Sequence, residues 1–381
     1  MRADASGARG DHFARAVLKA VALLALAALL LHPTATAEEA SRGLPDGLGF
    51  DALERLSDAL GGPDARRIAE MALSGELHPD ADLPKKLLRK LASAVQHGLL
   101  RTLRALSTPV LATLLLRLIT DRRSGALTLL CRLAVASSLV GQFTEAARLA
   151  EETMSAAVRV ADVASPVLCA ALTLSDAGAS AAVLSPISAL CVGAIEGVLK
   201  GMGLPLCALA AIVAAGSGLS EAYRLDRLFD ILRRTAIWGV GGLLGAFTAW
   251  MTIEGRLCAA QDTATAQAVH RAIGGMVPII GRSVSNSMGA LLTSAVSVRN
   301  AVGVTGMAVA LGVCAKPLTR LTAHMLSLRL ASAVIEPVAD PGIARVVADF
   351  ADISRMLLAL CLGSAILVAL LAGACLGLFG L

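Results

Sequence analysis

The chain has 381 residues, 56% of them hydrophobic and only 17% charged, with a mean hydropathy of +0.72 and a formal net charge of +5. A soluble domain carries about 25% charged residues, so a water-soluble globular protein does not fit. The basic residues fall in short loops, at segment ends and in one amphipathic stretch, with no interleaved aromatics, so nucleic acid is not an indicated partner.

The first 37 residues have the three parts of a secretory signal. Arg2, Arg9, Arg15 and Lys19 precede the apolar run Ala20 to Leu31, and Ala35, Thr36 and Ala37 offer a small-residue cleavage site. An uncleaved anchor is the alternative, and either places Glu38 on the far side of the membrane. Residues 38–84 then carry eleven acids against four bases, a balance that is easily exported. Within them Leu53, Leu56 and Leu60 predict one short helix, and Ile68, Met71 and Ala72 a second, separated by Gly61, Gly62 and Pro63. From Lys85 to about 104, leucines at three- and four-residue spacing with Lys85, Lys86, Arg89, Lys90, Arg101 and Arg104 on the other faces predict a basic amphipathic helix. It would lie either on an anionic membrane surface or against the rest of the protein.

Residues 105–381 form a multi-span membrane domain. Apolar blocks of the length needed to cross a hydrocarbon core of about 30 Å occur at 105–120, 125–142, 156–174, 180–199, 202–220, 235–253, 288–314, 318–336 and 356–379. Some carry charges, as Arg117 and Arg132 do, and would be interfacial or re-entrant. The fold class is therefore all-α, a polytopic helical membrane protein of about 6–9 transmembrane helices. Loop charge puts 121–124, 175–179, 221–234 and 315–317 in the cytoplasm, and 143–155 and 337–355 outside. The stretch 254–287 has no clear side.

Within these spans Glu196 is the main polar candidate, since an ionisable group in lipid is costly. It sits beside the four-residue glycine repeat Gly193, Gly197 and Gly201, whose common face admits a close neighbour. It either lines a polar path or bonds to an adjacent helix. Gly241 and Gly245, with Gly239 and Gly242 between Trp238 and Trp250, make a second packing face. They are not a phosphate loop, because no strand precedes them. The mixed polar stretch from about 270 to 300 would line an aqueous path or a helix interface. The six histidines show no metal spacing, and no nucleophile or phosphate-binding motif is present, so no catalytic, cofactor or metal residue is assigned. The eight cysteines contain no C-x-x-C pair. All but Cys258 lie in apolar segments and read as small buried residues.

That same C-terminal stretch carries a likeness. Val277, Pro278, Ile279, Ile280, Gly281 and Arg282 with Ser285, then Arg299, Asn300, Ala301, Val302 and Gly303 with Gly306, then Lys316 and Pro317, then Glu336, Pro337, Val338, Ala339 and Asp340 resemble the stage III sporulation protein AE family. The signal, the acidic segment, the length and the hydrophobic tail extend the likeness over most of the chain. The resemblance implies a multi-pass protein of the mother-cell membrane around the forespore. It further implies a subunit of a channel or secretion-like complex needed for endospore development. Its implied partners are the other membrane and ring-forming subunits of the stage III sporulation A complex, an ATPase and a forespore-side protein, with the lipid bilayer as surroundings. No cofactor and no catalytic residue come with it. A secondary transporter or permease acting alone is the competing reading.

Overall fold

A computed structural model describes residues 50–60, 64–74, 93, 96, 97, 100, 125–174, 192–219, 226–276, 281–337 and 341–374, with the backbone alone for 254–299. The signal segment 1–37, most of the basic stretch 85–104 and the block 105–120 lie outside them. Every regular element among the described residues is helical, in line with the all-α expectation.

The two short helices fall where apolar spacing places them: α1, Phe50–Leu60, and α2, Ala65–Ser74. Asp64 starts α2 by accepting a hydrogen bond from the Arg67 N–H at 3.1 Å, the usual cap for an otherwise orphan donor. Leu53 and Ser57 of α1 and Ala65 and Ala69 of α2 are buried, while Asp51, Arg55, Asp58, Arg66, Arg67 and Glu70 face outward.

Three of the next helices are much longer than a bilayer is thick. The first, α3, runs Gly125–Leu174; α5 runs Asp226–Met276 and α6 runs Gly281–Ile335. At 1.5 Å per residue each exceeds about 70 Å. Between α3 and α5 lies the helical stretch 192–198, a wide π-type turn at Leu199–Gly203, and α4, Leu204–Leu219. Last comes α7, Pro341–Ala374. Four stretches are long and apolar enough to cross a membrane: Val192–Ser217, Arg227–Ile253, Asn300–Ile335 and Gly342–Gly373.

Four is the count among the described residues, and several of the expected breaks are helical. Residues 143–155 are the middle of α3, and 315–317 are the middle of α6, which passes through Pro317. A proline removes one ladder bond, yet Val313, Cys314 and Leu321 are buried on either side of it and hold the helix to its neighbours. Packing of this kind overrides a local breaker. Most of 221–234 is likewise the start of α5, and 254–287 is helical up to Met276 and again from Gly281.

The helix α7 is the centre of the bundle. It has a mean hydropathy of 2.5 over its best window, 78% of which is buried, against 22% for α5. Its contacts set the register of the whole. Arg132 of α3 lies against Gly342, and the Cys361 thiol points at the Ala150 carbonyl, 3.7 Å away, so α3 runs parallel to α7. Gly203 faces Leu360, and Gly363 faces Val240 of α5. Ser332 of α6 donates to the Ala344 carbonyl at 3.0 Å, which fixes α6 and α7 as an antiparallel pair. Two buried clusters follow. One joins Val135, Phe229, Leu328, Ile335, Val346 and Phe350 at one end. The other joins α1 and α2 to Val160, Val192, Met251, Val302 and Leu371 at the opposite end. The end of α6 and the start of α5 therefore share an end of the bundle, whereas loop charge set 337–355 across the membrane from 221–234; the two differ because the charge reading counted α6 as two spans.

Candidate functional site

The strongest site in the bundle forms around Glu196. Its position at the π turn has a cause in the sequence. Pro205 has no N–H for the carbonyl four residues before it, and its ring crowds that turn. The helix widens at Leu199–Gly203, one turn ahead, where Gly201 and Gly203 add no side chain. Glu196 is 4% exposed. Its Oε1 lies 3.5 Å from Lys200 Nζ, within ion-pair reach but without a hydrogen bond. Lys200 Nζ instead donates to Ser155 Oγ of α3 at 3.1 Å. The result is a row of buried carboxylate, half-buried ammonium and half-buried hydroxyl joining the α4 region to α3, with Cys314 of α6 and Asp162 of α3 close by. Burying two charges is unfavourable unless they are paired, so the row locks those helices in one register and can hold a polar path in an apolar interior.

A second polar centre lies toward the end that carries the α4–α5 loop. Asp352 of α7 takes three guanidinium groups, each from a different position in the bundle. Arg233 of α5 reaches its Oδ2 at 2.5 Å, Arg329 of α6 its Oδ1 at 3.2 Å, and Arg355 of α7 its Oδ1 at 3.5 Å. Asp230 balances Arg233 on its other side at 3.3 Å. The sequence gives only a faint sign of this centre, an Asp and an Arg three residues apart inside the hydrophobic tail. Arg233 read as a cytoplasmic loop charge, and nothing in the linear order pairs it with a residue 119 positions away.

Among the described residues nothing closes the glycine faces. A Cβ at Gly193, Gly197, Gly201, Gly241 or Gly245 would meet nothing within 4 Å. Other helices do approach Gly342, Gly203 and Gly363, most closely the last two, where a Cβ would lie 2.5 Å from Leu360 and 2.7 Å from Val240. Of the C-terminal candidates, Asn300 is half-buried, Gly303 buried, Pro317 half-buried within α6 and Pro337 exposed in the turn after it. Gly281, Ser285 and Arg299 stand on α6 where the backbone alone is described, and Pro278 lies outside the described residues. Cys207, Cys314 and Cys361 are buried free thiols, as their apolar settings predict. Among the described residues no group of His, Cys, Asp and Glu could hold a metal ion.

Comparison with known proteins points one way. A family model described as stage III sporulation protein AE matches residues 85–378. A curated protein of that name from Bacillus subtilis (strain 168) is 25% identical over 172 residues, covering 45% of this chain and 43% of that protein. The chain thus matches less than half the length of that relative. No solved structure matches.

Proposed function

Because this chain belongs to the stage III sporulation protein AE family, we propose that it is a membrane subunit of a channel or secretion-like complex linking mother cell and forespore and needed for endospore development. The observation that carries this reading is the bundle itself. Four apolar spans surround or include a buried central helix, and the two polar centres tie helices to one another. Such an arrangement suits a rigid membrane element better than a site that turns over substrate. The chain has no enzymatic role in this reading, and an ATPase partner supplies the energy.

The proposed topology starts with cleavage of 1–37 and export of 38–84. The apolar block 105–120 and α3 then add two crossings to the four apolar spans, which makes six. The loops near 121–124 and 220–225 and the turn at 336–340 face the mother-cell cytoplasm, and α1, α2 and the C-terminus face the space between the membranes. There the acidic α1–α2 surface is available to ring-forming and forespore-side partners. Deletion of the gene in a single-copy host, followed with a late forespore-specific reporter, tests the assignment. Arrest after engulfment with a silent forespore is expected; normal spores would overturn it.

The π turn beside a buried charged pair also favours a second reading, a secondary transporter with a broken helix near the midplane. Solute flux through the purified chain alone in liposomes would support it over the first.

A further inference from the structure

The bundle has two unlike sides at the same depth. Ala150 of α3 meets Cys361, Gly203 meets Leu360, and Gly363 meets Val240. Residue 203 is near the middle of the span Val192–Ser217, Val240 is at the middle of Arg227–Ile253, and Cys361 is near the middle of Gly342–Gly373. Ala150 therefore stands at the mid-depth of three apolar spans. On α4 and α5 the exposed residues nearest this level, Met202 and Trp238, are apolar; Leu209 and Ile212 lie nearer the end where Asp230 and Arg234 are exposed, and Ile253 lies toward the other end. On α3 they are charged. Glu145, Arg148, Glu151, Glu152, Arg159 and Asp162 are all exposed, and their spacing of one, three, four and seven residues puts them on one face. Lys316 and Arg320, one turn apart and exposed near the middle of α6, which packs against α3, repeat the pattern.

A long lysine or arginine can reach from such a depth toward a headgroup, but a glutamate cannot. Glu151 and Glu152, adjacent to the mid-depth residue, have no route to the bilayer surface along their own side chains. The charged face also has a direction. Toward the end that holds the Asp352 centre it becomes apolar, with Leu129, Leu133 and Val140 exposed. Toward the other end its last charges, Arg159 and Asp162, stand beside Val160, Ala161 and Ala164, which pack with α1 and α2, whose outer faces carry Asp51, Arg55, Asp58 and Glu70.

We propose that the charged face of α3 lines a water-filled recess that opens at the α1–α2 end and reaches the middle of the bilayer. The α4–α5 side is the lipid-facing wall. The proposal rests on the membrane-subunit reading and adds to it the side of the subunit along which water and polar cargo would pass. The apolar stretch of α3 near Leu133 is where that passage narrows or closes.

Single cysteines placed in the full-length chain, in sealed right-side-out membrane vesicles of expressing cells, test this with a membrane-impermeant charged methanethiosulfonate. Labelling is read above the parent chain's own background. Arg148→Cys, Glu151→Cys and Glu152→Cys are expected to react within about tenfold of the Asp58→Cys control, because a thiolate reacts only where the reagent meets it in water. Ile212→Cys and Leu133→Cys are expected to stay at background. Each substitution is at an exposed position, and three on α3 guard against one variant failing to insert. No labelling on α3, or labelling that appears only after detergent, would overturn the recess in favour of a dry seam against another protein. Labelling of Ile212→Cys at the rate of the control would instead overturn the membrane placement, and the recess with it.

Discussion

Gly203 and Gly363 sit where another helix touches them, and the two contacts differ in how easily they yield. At Gly363 a Cβ would meet Val240, whose branched side chain has little rotamer freedom. At Gly203 it would meet the flexible end of Leu360. Gly363→Ala is therefore expected to destabilise the bundle by about 1–3 kcal/mol through overpacking, and Val240→Ala should recover much of that loss. Gly203→Ala should cost less. The open glycines behave in the opposite sense. Gly197→Ala and Gly241→Ala add a methyl to empty space and a better helix former, so thermal stability of the isolated chain should hold or rise, by up to about 1 kcal/mol. A detergent thermal-shift series on these four variants checks the ranking. Sporulation defects in stable Gly197 or Gly241 variants would then report a partner helix on that face. A second residue-level prediction concerns Lys200. Removing it as Lys200→Met leaves Glu196 buried beside no cation, at a cost of about 3 kcal/mol. The double variant Lys200→Met with Glu196→Gln should be more stable than the single one. Equal stability of the two would mean that the pair does not hold the helices.

Among the elements, α5, α6 and α7 depend on one carboxylate. Asp352→Ala leaves the guanidinium groups of Arg233, Arg329 and Arg355 crowded together without their common counterion, and a loss of about 3–5 kcal/mol is expected. Arg329→Gln should cost no more than about 1 kcal/mol, since that arginine is partly exposed and solvent screens its pair. Protease resistance of the purified chain in detergent separates the two, with cleavage near the α6–α7 turn in the first only. The same elements mark how far sequence reasoning reaches. Apolar spacing located α1 and α2 because each short helix buries one stripe and solvates the rest. Long apolar stretches were legible as helices, but their ends were not. Charges inside α3 and Pro317 inside α6 suggest breaks by local rule, and packing against neighbouring helices keeps those helices whole. Glu196 stood out as an ionisable group in an apolar run. Its partners Lys200 and Ser155 did not, since no spacing singles out the first and the second comes from a separate helix. The Asp352 centre was illegible for the same reason, being assembled from helices far apart in sequence.

At the scale of the whole molecule the continuous helices change which ends of the chain share a side. With α6 a single helix antiparallel to α7, and α5 parallel to α7, the end of α6 at Ile335 and the start of α5 at Asp226 lie at the same end of the bundle. An odd number of crossings between them would require α6 to end at Pro317, and the buried residues on both sides of that proline oppose this. Reporter fusions made after Ala222 and after Ala339 should therefore give the same cytoplasmic signal, and a fusion at Asp58 the opposite one. Signals of opposite sign at Ala222 and Ala339 would break the antiparallel pairing and restore the loop-charge topology. Net charge alone does not decide the matter, because Glu336 and Asp340 make that turn acidic while Arg329 and Arg345 flank it. The positive-inside preference counts bases near span ends and gives acids little weight. By that count Arg329 and Arg345 would act with Arg224, Arg227, Arg233 and Arg234 to hold both connections on the cytoplasmic side of the proposed topology. The Asp352 centre, placed just inside that end, fastens the three helices whose ends those bases retain.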